Sequence, residues 1–322
     1  MEFKKPNIFI SKCIEHGHCR YDGSMITSNF AKGLEPYVNY FFSCPEMEIG
    51  LPSPREALRV IVEDDEERLV SSHSGEDKTD DMINYAEAKA DELEDKNLDG
   101  FVLKGRSPSC GVKDVKMYKS FGKAPTIPKK TSGFFGRVID ERFSYLPVED
   151  EGRLTNFSIR EHFYTRIFTS ARFRSTKEAG KMSELVKFHS DNKYLFMAYN
   201  QGRLKTLGKI VANHEKKKAE EVYKAYEEEL YELLKTPPNK KRKMNVVLHI
   251  LGYFSKDLSP KEKAYFLDML QQYMDSRVPF SNLTSLLEMW AIRYEVDYLE
   301  NQSIFNPFPK ELIAVTDSGK GL

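Results

Sequence analysis

The sequence predicts two regions of different class: an α/β region with an open, mostly parallel, Rossmann-like sheet, followed by an all-α helical bundle. Short apolar runs alternate with helical stretches in the first half. Three of these runs are each followed by a cysteine, and from about residue 158 apolar positions recur at three and four residues. We therefore expect an α/β domain over residues 1–157 and a helical domain over residues 158–322.

The first half contains three strand-like runs, at 7–11, 37–43 and 100–104. A helix is predicted from Thr79 to Asn97, with Thr79 as its N-cap and acidic residues in its first turn. A shorter helix follows the segment 133–136, and the acidic segment 149–155 is the predicted linker. Because strands alternate with helices, a parallel sheet is favoured.

The second half has helical periodicity almost throughout. Helices are predicted over 181–200, 203–235, 243–256, 260–276 and 283–300. The breaks between them are expected at Gly202, Pro237–Pro238, Ser259–Pro260 and Pro279, since glycine and proline are frequent at helix ends.

Composition narrows the class of protein. The 322 residues are 40% hydrophobic and 30% charged, which is ordinary for a water-soluble chain of two domains. The N-terminus lacks the apolar core of a secretory signal, and no run approaches the roughly 18 apolar residues of a membrane span. Four cysteines in such a chain indicate reduced thiols or ligands rather than disulfides. We therefore expect a cytoplasmic protein.

The net charge of zero conceals an asymmetry. Residues 1–160 contain 23 Lys and Arg against 28 Asp and Glu, whereas residues 161–322 contain 26 against 21. A positive second half is consistent with a polyanionic partner. It is equally consistent with two solvated surfaces that differ by chance.

Cys13, Cys44 and Cys110 each follow one of the predicted strands. Because the carboxyl ends of parallel strands line a common crevice, thiols far apart in sequence should meet there. A single cysteine is more commonly a buried core residue, and the chain has no Cys-x-x-Cys pair typical of zinc ribbons. Spacing alone leaves three explanations: a cluster with an open iron, a zinc site, or a reactive thiol.

The segments around these cysteines carry a recognisable pattern. They are Ser-Lys-Cys with a closing Arg-Tyr-Asp-Gly at 11–23, Cys-Pro-Glu at 44–46, and Lys-Gly-Arg-Ser-Pro-Ser-Cys-Gly at 104–111. Together they resemble the thiouracil desulfurase family. The second half resembles the helical domain fused to such desulfurases, through 185–189, 244–254 and 298–309. This fused arrangement is similar to that of bacterial desulfidases that return 4-thiouridine in tRNA to uridine.

The resemblance implies that Cys13, Cys44 and Cys110 hold a [4Fe-4S] cluster in which one iron lacks a protein ligand. Cys19 is then a thiol outside the ligand set, since the family pattern needs three cysteines. A soft iron would capture the sulfur of the base and make the ring carbon a better target for water.

The same resemblance implies catalytic roles for Glu46, as general acid or base, and for Ser109, as a hydrogen-bond partner of substrate or water. Asp22 and Lys104 are expected to flank the pocket and bind substrate, although an ion pair or a loop hydrogen bond would explain both residues equally well. The simpler alternatives are that Glu46 stabilises a helix N-terminus and that Ser109 satisfies a turn.

Basic residues in the second half suggest contact with RNA phosphates. Lys205 and Lys209, with Asn213 and Lys216, recur at helical spacing and should share one face. A second basic run, 240–243, contains the predicted contacts Lys241 and Arg242. His189, Tyr194 and Tyr199 are candidates for stacking on bases. The alternatives are a solvated helix face for the basic residues and core packing for the aromatic ones.

The sequence thus predicts a two-domain enzyme that removes sulfur without net redox change from 4-thiouridine in tRNA. The expected partner is thiolated tRNA, with no membrane and no DNA. One alternative keeps the enzyme but changes its substrate to free 2-thiouracil or another small thioamide. The other is a zinc-stabilised RNA-binding module without catalysis.

Overall fold

The computed structural model describes residues 3–313, and this part of the chain divides into two compact units. One is mainly Lys4–Ala171 and the other mainly Arg172–Lys310. The domain boundary predicted at 157/158 lies at the start of helix α5 (Phe157–Ala179), which contains the division. No helix of the described chain combines the length and apolarity that a membrane span requires.

The first unit alternates strands and helices. Its strands are β1 (Asn7–Ser11), β2 (Asn39–Ser43), β3 (Leu58–Glu63), β4 (Glu66–Ser71), β5 (Gly100–Leu103), β6 (Val115–Tyr118), β7 (Thr126–Thr131) and β8 (Val148–Asp150). The helices that precede α5 are α1 (Asn29–Leu34), α2 (Pro45–Glu48), α3 (Thr79–Glu94) and α4 (Phe134–Arg142).

The first sheet has the strand order β2-β1-β5-β8, and all its pairs are parallel. β1 therefore lies between β2 and β5, with Ser11 opposite Ser43. The residues 8–10 and 101–103 are at most 1% exposed, as expected for parallel strands that are covered on both faces. The predicted parallel α/β fold is confirmed, and so are the three strands that precede the cysteines.

A second sheet, in the order β4-β3-β6-β7, is absent from the sequence prediction. Its β3–β4 hairpin turns at Asp64 and Asp65, which both have positive φ, as a type I′ turn requires. The edge strands β4 and β7 carry charged residues at 66–68 and 129–130. Charges protect sheet edges from pairing with other chains, and here they also obscure the β pattern in the sequence.

Two predictions about this unit are wrong. Thr79 is the first residue of α3 rather than its N-cap, because its hydroxyl accepts a hydrogen bond from the Leu69 N–H at 2.9 Å. The segment 149–155 is not a linker, because Glu149 lies in β8 opposite Val102 of β5.

The second unit is helical, as predicted. After α5 it contains α6 (Met182–Asp191), α7 (Lys193–Tyr199), α8 (Gln201–Ala212), α9 (Ala219–Leu234), α10 (Lys240–Leu251), α11 (Pro260–Met274), α12 (Phe280–Arg293) and α13 (Asp297–Glu300). Its core is aromatic in part: Phe173, Phe188 and Tyr226 lie with ring centroids 5.4 to 6.2 Å apart.

The predicted breaks at prolines coincide with helix ends. Ser259 forms a capping box with Glu262 at the start of α11, and Pro279 is the N-cap of α12. The break predicted at Gly202 is wrong, because Asn200 caps α8 and accepts a hydrogen bond from the Gly202 N–H at 3.0 Å.

Candidate active site

Cys13, Cys44 and Cys110 line one cavity of about 270 Å³ in the first unit. Cys13 follows β1, Cys44 follows β2 and Cys110 lies in the loop after β5, so all three stand beyond the carboxyl ends of adjacent strands. Each is at most 8% exposed. The structure brings the predicted thiols to one place, where open α/β sheets bind ligands. Their role as cluster ligands stays a prediction.

Local backbone structure fixes each thiol. The Cys13 carbonyl accepts from the Ile26 N–H at 2.8 Å, which closes the loop after β1. Cys44 is the N-cap of α2, and its carbonyl accepts from the Met47 N–H at 3.0 Å. The Cys110 loop packs against α4, where a Cβ on Gly136 would lie 2.5 Å from the Cys110 carbonyl oxygen. Only glycine permits that approach.

Cys19 is a fourth buried, free thiol in the same cavity. A hydrogen bond with Cys13 raises the pKa of the Cys19 thiol to about 11. A hydrogen bond with Cys19, and then burial, raise the pKa of Cys44 far above its ordinary value. Burial raises the pKa of Cys110 to about 12. The cavity therefore holds four neighbouring thiols, and the raised pKa values of Cys19, Cys44 and Cys110 favour their protonated forms.

Glu46 is the carboxylate of this cavity. Arg55 donates to its Oε2 from Nε at 2.8 Å and from Nη2 at 2.5 Å, and Ser109 donates to its Oε1 at 2.6 Å. The side chains of Arg55 and Glu46 are 4% and 12% exposed, so this is a nearly dry ion pair. Glu46 lies in the first turn of α2, but its oxygens bind Ser109 and Arg55 rather than that turn.

Ser107, not Ser109, satisfies the turn before Cys110. The Ser107 hydroxyl accepts from the N–H groups of Ser109 at 3.3 Å and Cys110 at 3.2 Å. Ser109 is 1% exposed, and its hydroxyl contacts Ser107 at 2.9 Å as well as Glu46. A chain of two hydroxyls therefore ends on the Glu46 carboxylate.

Lys104 and Asp22 differ in their placement. Lys104 lines the cavity, and its Nζ binds Glu151 Oε1 at 2.5 Å and the Gly105 carbonyl at 2.8 Å. Asp22 is not part of the cavity wall. Its carboxylate accepts from the Ser24 hydroxyl at 2.6 Å and N–H at 3.1 Å, and so shapes the turn at Gly23. The predicted contact of Asp22 with substrate therefore has no support in this geometry.

The basic residues of the second unit do not form the predicted stripe. Lys205 and Lys209 are exposed on α8, but α8 ends at Ala212, and Asn213 adopts a left-handed conformation. Lys216 consequently lies beyond the helix. The run 240–243 forms the first turn of α10.

The two predicted contacts in that turn have different surroundings. Lys241 is exposed and makes no ion pair within the described chain, whereas Arg242 donates to the Tyr199 carbonyl at 2.6 Å. Tyr194 and Tyr199 are 4% and 2% exposed, and His189 Nδ1 contacts the Tyr226 hydroxyl at 3.0 Å. Tyr194 and Tyr199 pack in the core, so the prediction that they offer rings to bases is wrong. His189 is half-buried with its ring edge-on to Tyr226.

Sequence reasoning missed Arg55, Ser107 and Glu151. Arg55 follows the proline-rich segment 51–54, which carries no signal for an ion pair with Glu46. Ser107 could have been found, since Ser-Pro-Ser before a cysteine is a turn with two hydroxyls. Glu151 lies in the segment predicted as a linker, and only the position of β8 brings it to Lys104.

Comparison with known proteins gives matches over both regions. The 2-thiouracil desulfurase family matches residues 8–151, and a family described as a protein of unknown function, DUF1722, matches residues 193–309. YbgA of Escherichia coli (strain K12) is 26% identical over 147 residues, covering 45% of this chain and 87% of that protein. YbbK of Bacillus subtilis (strain 168) is 31% identical over 109 residues, covering 32% and 72%.

One solved structure is also similar, that of the [4Fe-4S]-dependent thiouracil desulfidase TudS. The identity is 25%, the match covers 47% of this chain and 93% of TudS, and the TM-score is 0.37. The family assignment rests on the sequence matches. The chain belongs to the 2-thiouracil desulfurase family through residues 8–151 and carries a DUF1722 region over residues 193–309.

Proposed function

We propose that this protein hydrolyses the carbon–sulfur double bond of a thiolated pyrimidine, and that its substrate is 4-thiouridine in tRNA, which it returns to uridine. One observation carries the proposal: thiols from three strand ends share a cavity with the Glu46–Ser109 hydrogen bond. Membership of the 2-thiouracil desulfurase family supports the same class of reaction.

The proposed cofactor is a [4Fe-4S] cluster held by Cys13, Cys44 and Cys110. The donor set fits, because thiolates are the usual ligands of such clusters and the cavity also contains the cations Lys12 and Arg20. Within residues 3–313, no three His, Cys, Asp or Glu side chains are arranged to hold a single metal ion.

The reaction exchanges sulfur for oxygen: C=S and water give C=O and hydrogen sulfide, with no net redox change. A bound cluster would supply a soft Lewis acid for the sulfur of the base. Glu46 is the group placed to take a proton from the attacking water and to return it to the leaving sulfur. Ser109 fixes Glu46 Oε1, and Arg55 fixes Oε2, so the carboxylate is held before substrate arrives.

The second unit supports tRNA as the substrate. Lys205, Lys209 and Lys241 are exposed and make no ion pair in the described chain, which leaves them available to phosphates. Extruding a base from tRNA costs a few kcal/mol, and a unit that binds the surrounding RNA would offset that cost. We place the reaction in the cytoplasm, where four unpaired thiols stay reduced.

A second candidate substrate is free 2-thiouracil. The description of the matching family favours it, and a cavity of about 270 Å³ has room for a single base. The two candidates share the chemistry of the first unit and differ in whether the second unit takes part.

Anaerobic incubation with thiolated tRNA, followed by nucleoside analysis, tests the proposal. We expect 4-thiouridine to disappear and uridine and sulfide to form in equal amounts. Free 2-thiouracil is the matched comparison substrate. Loss of sulfur from the free base alone would replace tRNA by the second candidate, and loss from neither would refute both.

Metal analysis of the same preparation tests the cofactor. A [4Fe-4S] cluster predicts a brown protein with about four irons and four acid-labile sulfides per chain. A colourless protein that contains zinc would instead support the RNA-binding module without catalysis.

A further inference from the structure

Three tyrosines and a lysine form a compact group in the second unit. The ring centroids of Tyr194, Tyr253 and Tyr298 lie 6.3 or 6.4 Å apart, and Tyr253 and Tyr298 are inclined by only 26°. Lys193 Nζ lies 5.5 Å from the centroid of Tyr194 and 5.9 Å from that of Tyr298. We call these four residues the tyrosine cluster.

A buried polar network holds the cluster in place. The Gln302 side chain accepts from the Tyr194 N–H at 3.2 Å and donates to the Ser190 carbonyl at 2.8 Å. Ser303 donates to the Asn192 side chain at 2.6 Å. Gln302, Ser303 and Asn192 are each at most 2% exposed. The chain that follows α13 is therefore fixed to the junction of α6 and α7.

Tyr253 is the most exposed ring of the cluster, since Tyr194 is buried and Tyr298 is half-buried. Tyr253 is 45% exposed, although its hydroxyl accepts from Tyr194 at 3.0 Å and its position is thereby fixed. His249, one helical turn earlier, and Lys256 are exposed and make no ion pair in the described chain. By contrast, Tyr265 on α11 is 57% exposed but makes no ring contact within residues 3–313.

We propose that the tyrosine cluster is a binding site for an unpaired nucleobase of RNA, with Tyr253 as the stacking surface and Lys193 and Lys256 as contacts to the flanking phosphates. The inference rests on the proposed function in one respect: tRNA is taken as the RNA that reaches this protein. The tyrosine cluster is then the surface of the second unit that binds this RNA.

The chemistry favours a base over other ligands. A fixed aromatic face beside cations is the arrangement that single-stranded RNA binders use, because every base has a π-face and every nucleotide a phosphate. Holding Tyr253 rigid lowers the entropy lost on binding. A cationic ligand is disfavoured, since Lys193 already occupies the position over two of the rings.

Binding of fluorescently labelled, unthiolated tRNA to the full chain tests the site by anisotropy. Tyr253→Ala should weaken binding by about 5- to 150-fold, the range measured when a stacking aromatic is removed. Tyr253→Phe keeps the ring and should bind within about twofold of the original chain. Lys193→Gln should reduce the slope of log affinity against log salt by about one, whereas Tyr253→Ala should leave that slope unchanged.

Tyr265→Ala is the matched control, since it removes a tyrosine that is even more exposed than Tyr253 and has no ring neighbour within the described chain. Circular dichroism melts establish that all variants are folded. Equal affinity of Tyr253→Ala and the original chain would overturn the proposal, as would equal losses in Tyr253→Phe and Tyr253→Ala. Failure of the original chain to bind any tRNA would also overturn it.

Desulfuration of free 2-thiouracil separates this inference from the proposed function. Tyr253→Ala should desulfurate the free base at the original rate, because no residue of the tyrosine cluster lines the cavity. If no thiolated base reacts but tRNA binding depends on Tyr253, the proposed function fails and the stacking site stands.

Discussion

Arg55 and Ser109 approach opposite oxygens of the same carboxylate: Arg55 Nη2 lies 2.5 Å from Glu46 Oε2, and Ser109 Oγ lies 2.6 Å from Glu46 Oε1. The carboxylate is thus oriented from both sides, and its Oε1 faces the loop that carries Cys110. This relationship generates the first two predictions.

Glu46→Gln should lower kcat by about 10²- to 10⁴-fold, the usual contribution of a general acid or base. The amide keeps the shape and can still accept from Arg55, so the folded chain should keep its iron, although the buried Arg55 charge then lacks its counter-charge and stability should fall. Single-turnover assays with iron determination measure both quantities. Wild-type kcat in a fully loaded Glu46→Gln variant would remove Glu46 from the mechanism.

Arg55→Ala should destabilise the protein by about 3–5 kcal/mol, because it leaves the Glu46 charge buried without its partner. The double variant Arg55→Ala/Glu46→Ala should lose less than the sum of the single variants, since the unpaired charge is gone. Urea unfolding of the four chains measures the coupling. Additive losses would show that the ion pair is not what stabilises this wall of the cavity.

Substitution of single cysteines distinguishes those that hold the cluster from one that only lines the cavity. Cys13→Ser, Cys44→Ser and Cys110→Ser should each lose iron, whereas Cys19→Ser should retain it, although all four thiols line the same cavity. Iron and acid-labile sulfide after anaerobic purification are the measurements. Full loading of any of the first three, or loss of iron from Cys19→Ser alone, would change the ligand set.

Lys205→Glu combined with Lys209→Glu should weaken tRNA binding and reduce its salt slope by about two, if both lysines contact phosphates. Lys129→Glu with Lys130→Glu, on the exposed edge strand β7, changes net charge equally and serves as control. Iron content should be unaffected in both. Equal binding by the two double variants would mean that α8 is only a solvated face.

The stability of the second unit should depend on pH through His189. Burial, and less strongly the charge of Lys193, lower the pKa of His189 below its ordinary value of 6.5. Below that pH the unfolded chain binds more protons than the folded one, so the free energy of unfolding should decrease as pH falls. The contribution is fully present above about pH 6.5 and is lost on acidification.

Fluorescence of Trp290, the single tryptophan and 3% exposed, reports urea unfolding of this unit. His189→Gln should flatten the decline between about pH 7 and pH 5, and His249→Gln, at an exposed position, should not. If His189→Gln follows the same curve as the original chain, another group controls the acid response.

The meeting of the cysteines could be predicted because it follows from topology. The carboxyl ends of strands in a parallel sheet share one edge. A cysteine after each of three strands therefore predicts that the three thiols lie close together. The ion pair of Glu46 with Arg55 could not be predicted in this way. Its geometry depends on the path of the loop between α2 and β3, and no periodic pattern encodes that path.

The prediction of a basic stripe is wrong for a local reason. Spacing places Lys205, Lys209 and Lys216 on one face only if the helix continues, and Asn213 ends it in a left-handed conformation. Asparagine tolerates that conformation better than most residues, which was the available signal. The sequence does not predict the second sheet, because its edge strands are rich in charged residues and their alternation of apolar and polar residues is weak.

The cavity wall is drawn entirely from residues 11–110, and the sheet that supports it is complete at β8 (Val148–Asp150). During translation, every residue of the cavity wall is therefore synthesised before the helices α6–α13. Domains generally fold as units during synthesis, N-terminal first, so the thiols can assemble while the remainder of the chain is still being translated. The site can therefore form before the second unit, which is the part proposed to bind the tRNA substrate, has been synthesised.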